Sequence, residues 1–312
     1  MKKTPWTAAQ IPLQTGRRAL VTGANSGLGW HTALELARRG AEVILAARSA
    51  AKAEDAAARI RQEVPEARLL PGVLDLADLA SVRRFAAAFS GEPLDLLIHN
   101  AAVMAVPRRE LTVDGFERQF GTNYLGPFAL TALLFPALRR QPGTRVVTVC
   151  SMANKQARIE FDNLQSERLY KPMFQAYAQS KLANTLFAVE LQRRLSAAGS
   201  PIVSTAAHPG YARTNLQTSG PGKGMMGLLF AAAGKTLGAL LSQDAAHGAL
   251  PTLFAATAPE ARPGGYYGPD GLSEMKGYPA PAPLPPAAQS EGDARRLWEE
   301  SETLTGVRFG PF

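Results

Sequence analysis

The sequence predicts an α/β protein built on a doubly wound parallel sheet, with helices on both faces. Short apolar runs typical of strands alternate with helical patterns along almost the whole chain, as they do in parallel sheets. A glycine-rich turn joins the first strand to the first helix, and sheets of this class often begin in this way. We expect the chain to form a single domain, 1–312.

The strands are predicted first, from apolar runs bounded by turn-forming residues. They cover 17–22, 42–48, 69–76, 94–98, 145–149, 202–207 and, as a seventh, 265–268. Helices are predicted between them at 27–39, 51–64, from about 79, at 114–140 with an interruption near Gly126 and Pro127, at 177–195 and at 243–256. Residues 279–312 are interpreted as a proline-rich linker, 279–286, followed by a C-terminal helix at 293–304.

Charge and cysteine content narrow the function classes. The net charge is +8, but the basic residues occur as scattered arginine pairs near predicted helix ends, where they complement the helix dipole. We therefore expect no nucleic-acid partner. The single cysteine, Cys150, rules out an intrachain disulfide and thiolate metal sites, and no metal is expected.

The N-terminus lacks the apolar run of a signal peptide. The most apolar window, 225–241, is interrupted by Gly227, Gly234 and Lys235, so it falls short of a membrane span. We expect a cytoplasmic protein without stable membrane insertion. A homodimer is compatible with the sequence.

The glycine-rich turn has the spacing Gly23-x-x-x-Gly27-x-Gly29 and also contains Asn25, Ser26 and Leu28. Glycines let the backbone approach a pyrophosphate, and the N-terminus of the next helix offers free N–H groups. A tight strand-to-helix turn that needs glycine only for its conformation is the alternative.

The ends of the next two strands carry candidate cofactor ligands. Ala47 and Arg48 stand where an acidic residue would bind the ribose of NAD, and an arginine there suits the 2′-phosphate of NADP. The alternative is a solvated arginine. Asp75, followed by Leu76, could hold the adenine amino group or could cap the helix that begins near Leu79.

Tyr177 and Lys181 lie four residues apart on a predicted helix and therefore share one face. A lysine ammonium beside the phenol favours the phenolate and lowers the pKa of the tyrosine, which suits proton exchange with a substrate oxygen. Ser151 follows the fifth strand, and Asn123 lies in the helical region before it. His99 and Cys150 are expected to pack inside the fold.

Together these residues resemble the short-chain dehydrogenase/reductase superfamily, from about Arg17 to Thr214. The motifs are Thr22-Gly23-x-x-x-Gly27-x-Gly29, Asn100-Ala101, Asn123, Ser151, Tyr177-x-x-x-Lys181 and Pro209-Gly210. Within the superfamily the chain is most similar to the retinol dehydrogenases and light-dependent protochlorophyllide reductases, as indicated by Phe161–Gln165, Ser180–Asn184 and His208–Gly210. His99 and Ala102 depart from the common Asn-Asn-Ala-Gly element, and Cys150 stands where serine is frequent.

The resemblance implies a Rossmann-type fold and an NADP(H)-dependent oxidoreductase, with NAD less favoured. It implies that Tyr177 is the general acid/base, that Ser151 hydrogen-bonds the substrate oxygen, and that Asn123 supports Lys181, which binds the nicotinamide ribose. The implied cofactor contacts are Gly23, Asn25, Ser26, Gly27, Leu28, Gly29, Arg48, Asp75, Leu76, Asn100, Ala101, Tyr177, Lys181, Pro209, Gly210 and Thr214.

The expected reaction interconverts an alcohol and a carbonyl on a hydrophobic small molecule. Two alternatives stay open: a non-catalytic NADP(H)-binding regulatory protein, and a reductase of activated carbon–carbon double bonds. We interpret 215–241 as a substrate lid, because its glycines give flexibility and its Met, Leu and Phe residues an apolar face. A fixed packing element is the alternative for this segment.

Overall fold

The computed structural model describes residues 4–212 and 242–312. Its centre is a sheet in the order β3-β2-β1-β4-β5-β6-β7-β8. Strands β1 to β7 pair in parallel, and β8 pairs antiparallel with β7. The strands are β1 Arg18–Thr22, β2 Glu42–Ala47, β3 Arg68–Val73, β4 Leu96–His99, β5 Arg145–Val149, β6 Val203–Ala207, β7 Tyr266–Pro269 and β8 Pro279–Pro281. The predicted doubly wound parallel sheet is confirmed.

Helices cover both faces of this sheet. One face carries α1 (Gly27–Arg38), α2 (Ala50–Glu63) and α7 (Ala245–Thr257) over an apolar core. The other carries α3 (Leu79–Phe89), α5 (Gly126–Leu134), α6 (Ala178–Ala197) and α8 (Glu291–Thr305) over a second core. β1 lies between β2 and β4 at the centre of the sheet, so the chain reverses its winding direction there. In open sheets of this kind, ligands bind beyond the carboxyl ends of the strands at that point.

Two strand predictions need correction. The third strand ends at Val73 instead of Leu76, because the chain turns at Asp75, whose carboxylate accepts from the Ala77 N–H at 2.9 Å. The stretch predicted as a linker contains β8, Pro279–Pro281. Proline has no N–H to donate, and it is tolerated at the edge of a sheet, where β8 lies.

The predicted helix at 114–140 also differs. Helix α4 (Arg118–Phe120) begins only after Glu117, whose buried carboxylate accepts from the N–H groups of Gln119 and Phe120. A π-helical turn, Gly121–Leu125, follows and leads directly into α5. Gly126 does not interrupt the helix. It allows close packing, since a Cβ there would lie 2.3 Å from the Leu76 carbonyl oxygen.

A second π-helical turn, Pro172–Tyr177, leads into α6, so Tyr177 is its last residue and Lys181 lies in the first turn of α6. Among the described residues, no helix combines the length and apolar character needed to cross a membrane.

Candidate active site

A cleft of about 510 Å³ opens at the carboxyl ends of β1, β2, β3 and β4. Ten of the residues predicted to bind a cofactor line it: Gly23, Asn25, Ser26, Gly27, Leu28, Arg48, Asp75, Leu76, Asn100 and Ala101. Sequence reasoning missed several others in its wall, including Lys52, Val103, Met104, Glu110, Arg118 and Thr122. These residues carry no motif, and only the fold brings them to the cleft.

The glycine-rich turn is held against the loop that follows β4. Gly23 and Gly27 have φ angles of +66° and +55°, which residues with a Cβ rarely adopt. The Asn100 side chain donates to the Thr22 carbonyl at 2.9 Å, and a Cβ at Gly29 would lie 2.4 Å from its amide nitrogen. Gly29 therefore allows α1 to pack closely onto this turn, and the free N–H groups at the start of α1 face the cleft.

The cleft has a basic corner at its second strand. Arg48 and Lys52 both line it, both are exposed, and neither forms an ion pair with a described residue. Ala47, just before Arg48, contributes no carboxylate. The corner could therefore hold a phosphate group through two cations.

Asp75 does not cap α3. That role belongs to Asp78, whose carboxylate accepts from the Ala80 N–H at 2.8 Å. The helix-cap alternative for Asp75 is wrong, and its position in the cleft wall is compatible with an adenine contact.

Tyr177 and Ser151 meet at the carboxyl end of β5. The Ser151 hydroxyl lies close enough to Tyr177 to oppose the rise in the pKa of its phenol, and the Ser151 oxygen accepts from the Ala153 N–H at 3.3 Å. Lys181 lies behind them with its Nζ 6.0 Å from the Tyr177 ring centroid, and it donates to the Val149 carbonyl at 2.9 Å. Both long side chains are buried, Tyr177 at 6% exposure and Lys181 at 2%.

Asn123 lies in the π-helical turn Gly121–Leu125 and connects this group to the cleft wall. Its carboxamide accepts from the Val103 N–H at 2.7 Å and donates to the Val103 carbonyl at 2.9 Å. It also donates to the Ser180 hydroxyl at 3.0 Å, which in turn donates to the Tyr177 carbonyl at 2.7 Å. Asn123 thus contacts the neighbour of Lys181 and fixes the backbone that carries Tyr177.

The pKa of Tyr177 moves opposite to the sequence-based expectation. Burial raises it to about 12, against the smaller lowering effect of the Ser151 hydrogen bond. Burial also lowers the pKa of Lys181 to about 8. The ammonium is directed at the Val149 carbonyl, so desolvation of the phenolate dominates. At neutral pH the phenol keeps its proton and is suited to donate it to a developing alkoxide.

His99 and Cys150 pack inside the fold, as predicted. His99 is 3% exposed and shares a 2.6 Å hydrogen bond with the Thr131 hydroxyl, and burial lowers its pKa to about 3. Cys150 is 2% exposed, and burial raises the pKa of its thiol to about 11.

Pro209 and Gly210 follow β6 on the side of the cleft where α1 begins. A Cβ added at Gly248 would lie 2.7 Å from Leu28 and 3.7 Å from Pro209, so these residues are close neighbours. The Pro209 carbonyl accepts from the Gln243 side chain at 2.8 Å, and Gly210 has a φ of +63°. Thr214 and the segment 215–241 lie outside the described residues.

A doubly wound sheet, a glycine-rich turn at its switch point and a Ser-Tyr-Lys-Asn group define a class of nucleotide-dependent oxidoreductases. The family model for short chain dehydrogenases matches residues 17–221. The chain belongs to the short-chain dehydrogenase/reductase family, and its place in the retinol dehydrogenase branch is confirmed by the similarity that follows.

Human retinol dehydrogenase 13 is 43% identical over 306 residues, which span 96% of this chain and 86% of that protein. An uncharacterized protein from Mycobacterium paratuberculosis has a solved structure with a TM-score of 0.81 and 45% identity, covering 98% of this chain and 100% of that chain. A short chain dehydrogenase from Burkholderia cenocepacia, solved in complex with NADP, has a TM-score of 0.60 and 26% identity and covers 81% of this chain and 96% of that chain.

Proposed function

We propose that this oxidoreductase uses NADP(H) to interconvert an alcohol and a carbonyl on a hydrophobic small molecule. The observation that carries the proposal is the group of Ser151, buried Tyr177 and Lys181 at the carboxyl end of β5. Asn123 links this group to the wall of the cofactor cleft through its hydrogen bonds to Ser180 and Val103. A non-catalytic binding protein would have no need to retain this set of proton-transfer groups.

The residues fit a nicotinamide dinucleotide. The positive-φ glycines and the start of α1 suit a pyrophosphate, Asp75 suits an adenine amino group, and Arg48 with Lys52 suits a 2′-phosphate. The NADP complex of the Burkholderia cenocepacia relative is in keeping with this preference. When bound, the cofactor supplies or accepts the hydride.

The protein's own residues would transfer the proton. In the direction of reduction, Ser151 donates a hydrogen bond to the substrate oxygen, where negative charge develops. Tyr177, protonated at neutral pH, then gives its proton to that oxygen. Lys181 holds positive charge beside the phenolate that forms, and Asn123 keeps the backbone of Tyr177 in place through Ser180.

The substrate is an apolar alcohol or aldehyde on this proposal. Retinol, in the name of the human relative, is an isoprenoid alcohol of this kind. The test is to follow NADPH and NADH consumption across a panel of aldehydes including retinal, ketones, quinones and activated alkenes. We expect reduction of apolar aldehydes with NADPH. Turnover confined to the alkenes would favour the double-bond reductase, and no turnover would favour the binding protein.

Tyr177→Phe provides the matched control for that panel, since it keeps the ring and removes only the hydroxyl. We expect loss of about 10²- to 10⁴-fold in kcat, the usual contribution of one acid/base group. NADPH binding, followed by fluorescence, should survive. Near-normal turnover by this variant would remove Tyr177 from the mechanism.

Arg48→Ala tests the cofactor preference. Loss of a charged hydrogen bond of about 1.5–3 kcal/mol should weaken NADPH binding roughly 10- to 100-fold, while NADH binding changes little. Arg61→Ala, an exposed arginine of α2 that does not line the cleft, is the control. Equal losses for both cofactors, or tighter NADH binding by the unaltered protein, would contradict NADP(H) preference.

A further inference from the structure

Three loops meet beside the candidate active site. They follow β5, β6 and β7, which are neighbours in the sheet and run parallel, so their carboxyl ends share one edge. The segment after β5 contains Ser151 and Lys155. His208 follows β6 and precedes Pro209 and Gly210, and Glu274 lies in the loop after β7.

Glu274 joins the other two loops through its carboxylate. One oxygen lies 2.8 Å from the Lys155 ammonium, and the other lies 2.8 Å from Nε2 of His208. The His208 side chain is fully buried, whereas the side chains of Glu274 and Lys155 are 21% and 35% exposed. An anion bonded to a buried ring is a stronger restraint than an exposed surface pair.

These contacts fix the tautomer of His208. Burial lowers its pKa to about 4, so the ring is neutral at physiological pH and has one donor and one acceptor nitrogen. The Gly210 N–H donates to Nδ1 at 3.3 Å, so Nδ1 must be the acceptor. The proton therefore lies on Nε2 and is donated to Glu274.

The surrounding backbone leaves this turn little freedom. A Cβ at Gly268 would lie 2.0 Å from Nε2 of His208, and one at Gly210 would lie 2.4 Å from the Met275 carbonyl. Ser273 and Glu274 have φ angles of +51° and +60°, a conformation uncommon for residues other than glycine. Such backbone persists where neighbouring contacts enforce it and is often found at functional sites.

We propose that Glu274 is a positioning residue for the active site. It holds Pro209 and Gly210 at a fixed distance from Ser151. It acts through His208 on one side and Lys155 on the other. The inference rests on the proposed function, because Ser151 and the Pro209-Gly210 turn would then flank the reacting ends of substrate and cofactor.

The first measurement needs no turnover. Histidine-specific ¹⁵N labelling of the full chain, which has four histidines, reports the tautomer of each ring, and His208→Asn assigns the His208 signals. The unaltered protein should show the Nε2–H tautomer. Glu274→Ala removes the acceptor, and Glu274→Gln can accept from Lys155 only by turning its N–H₂ group toward Nε2. In both variants the Gly210 N–H still donates to Nδ1, so the Nε2–H tautomer should persist. The Nε2 signal should shift, because its proton has lost the Glu274 carboxylate as acceptor.

The second measurement separates positioning from general stability. Glu274→Ala and Glu274→Gln should lower kcat roughly 10- to 100-fold, the scale expected for misplacement near the reacting atoms. The Kd for NADPH should change by less than about threefold, because most of the cleft is untouched. Lys155→Met removes only the contact between Lys155 and Glu274. This variant should retain the Nε2–H tautomer and show a smaller fall in kcat. The control is Glu63→Gln, because Glu63 of α2 forms an exposed ion pair with Arg38 of α1, away from the site.

An unchanged Nε2 signal or an unchanged kcat in both Glu274 variants would overturn the proposal. So would a fall in kcat that merely follows an equal loss of folded protein. If Glu274→Ala does not fold, Lys155→Met and Glu274→Gln decide. Absence of carbonyl reduction by the unaltered protein would contradict the proposed function instead, and the Nε2 signal would still show whether Glu274 is hydrogen-bonded to His208.

Discussion

At the scale of single residues, burial decides the protonation of the candidate catalytic pair. Tyr177 and Lys181 lie about one helical turn apart, yet burial raises the pKa of the phenol and lowers the pKa of the ammonium. In both groups burial therefore favours the uncharged form. The spacing of the pair could be predicted from the sequence, but not how deeply the two groups are buried or where the ammonium points. Those depend on β5, which supplies the Val149 carbonyl.

Lys181→Met tests this burial through stability. Since the pKa of Lys181 falls from 10.5 to about 8 on folding, the charged form opposes folding by about 3 kcal/mol below pH 8. The unfolded chain binds more protons between the two values, so this penalty shrinks as pH rises through that window. Methionine keeps the apolar stem and loses one hydrogen bond, which is worth about 1 kcal/mol.

We therefore expect Lys181→Met to be more stable than the unaltered protein at pH 7 by about 2 kcal/mol, even though activity is lost. The difference should decline steadily from about pH 8 toward pH 10. Thermal unfolding at several pH values measures it, with the exposed Lys52→Met as control. A destabilised variant at pH 7, or a difference that grows with pH, would contradict the burial argument.

The site could be predicted from sequence where chemistry is local. The glycine-rich turn, Arg48 and Asp75 each stand at the end of a strand, so the order of strands brings them to one cleft. Lys52 and Glu274 could not be found in this way. Lys52 reaches the cleft only because α2 begins beside Arg48, and Glu274 reaches His208 only through a loop with left-handed backbone.

At the scale of elements, strands were easier to predict than irregular helices. The run at 145–149 is buried throughout and β-branched from Val146 onward, and it forms β5 with the predicted bounds. The two π-helical turns have no such local signal. The first contains Asn123, whose side chain is bonded to Val103, a residue far away in the sequence. The second ends at Tyr177, so both turns occur next to candidate catalytic groups.

The segment 160–166, which precedes α6, illustrates how neighbouring elements position Tyr177. The Gln179 side chain accepts from the Glu160 N–H at 2.8 Å and donates to the Leu164 carbonyl at 3.3 Å. Gln175 is hydrogen-bonded to Ser166 at 3.1 Å. These glutamines flank Tyr177 at two residues on either side. The segment that distinguishes this branch in sequence therefore also anchors the backbone of the candidate acid/base.

At the scale of the whole molecule, the C-terminal residues complete the apolar core beneath α6, the helix that contains Lys181. Trp298 of α8 is 2% exposed and packs against Phe128 of α5 and Phe187 of α6, with ring centroids 5.1 and 5.8 Å away. Phe309 lies 4.4 Å from the same ring. The sequence predicted the helix but not its role. Helix α8 covers the face of α6 that carries Phe187 and Arg194.

Trp298→Ala should therefore destabilise the whole protein rather than release a terminal helix alone. Removing a buried tryptophan leaves a cavity that costs about 3–5 kcal/mol, and the Arg194 guanidinium 4.4 Å above the ring loses its partner. We expect one cooperative unfolding transition whose Tm is lower by roughly 10 °C. Trp298→Phe should lose less, and Glu299→Ala, on the exposed side of α8, should change little. If α8 were an independent appendage, Trp298→Ala would instead leave the main transition unchanged and add an early, separate loss of helix by circular dichroism.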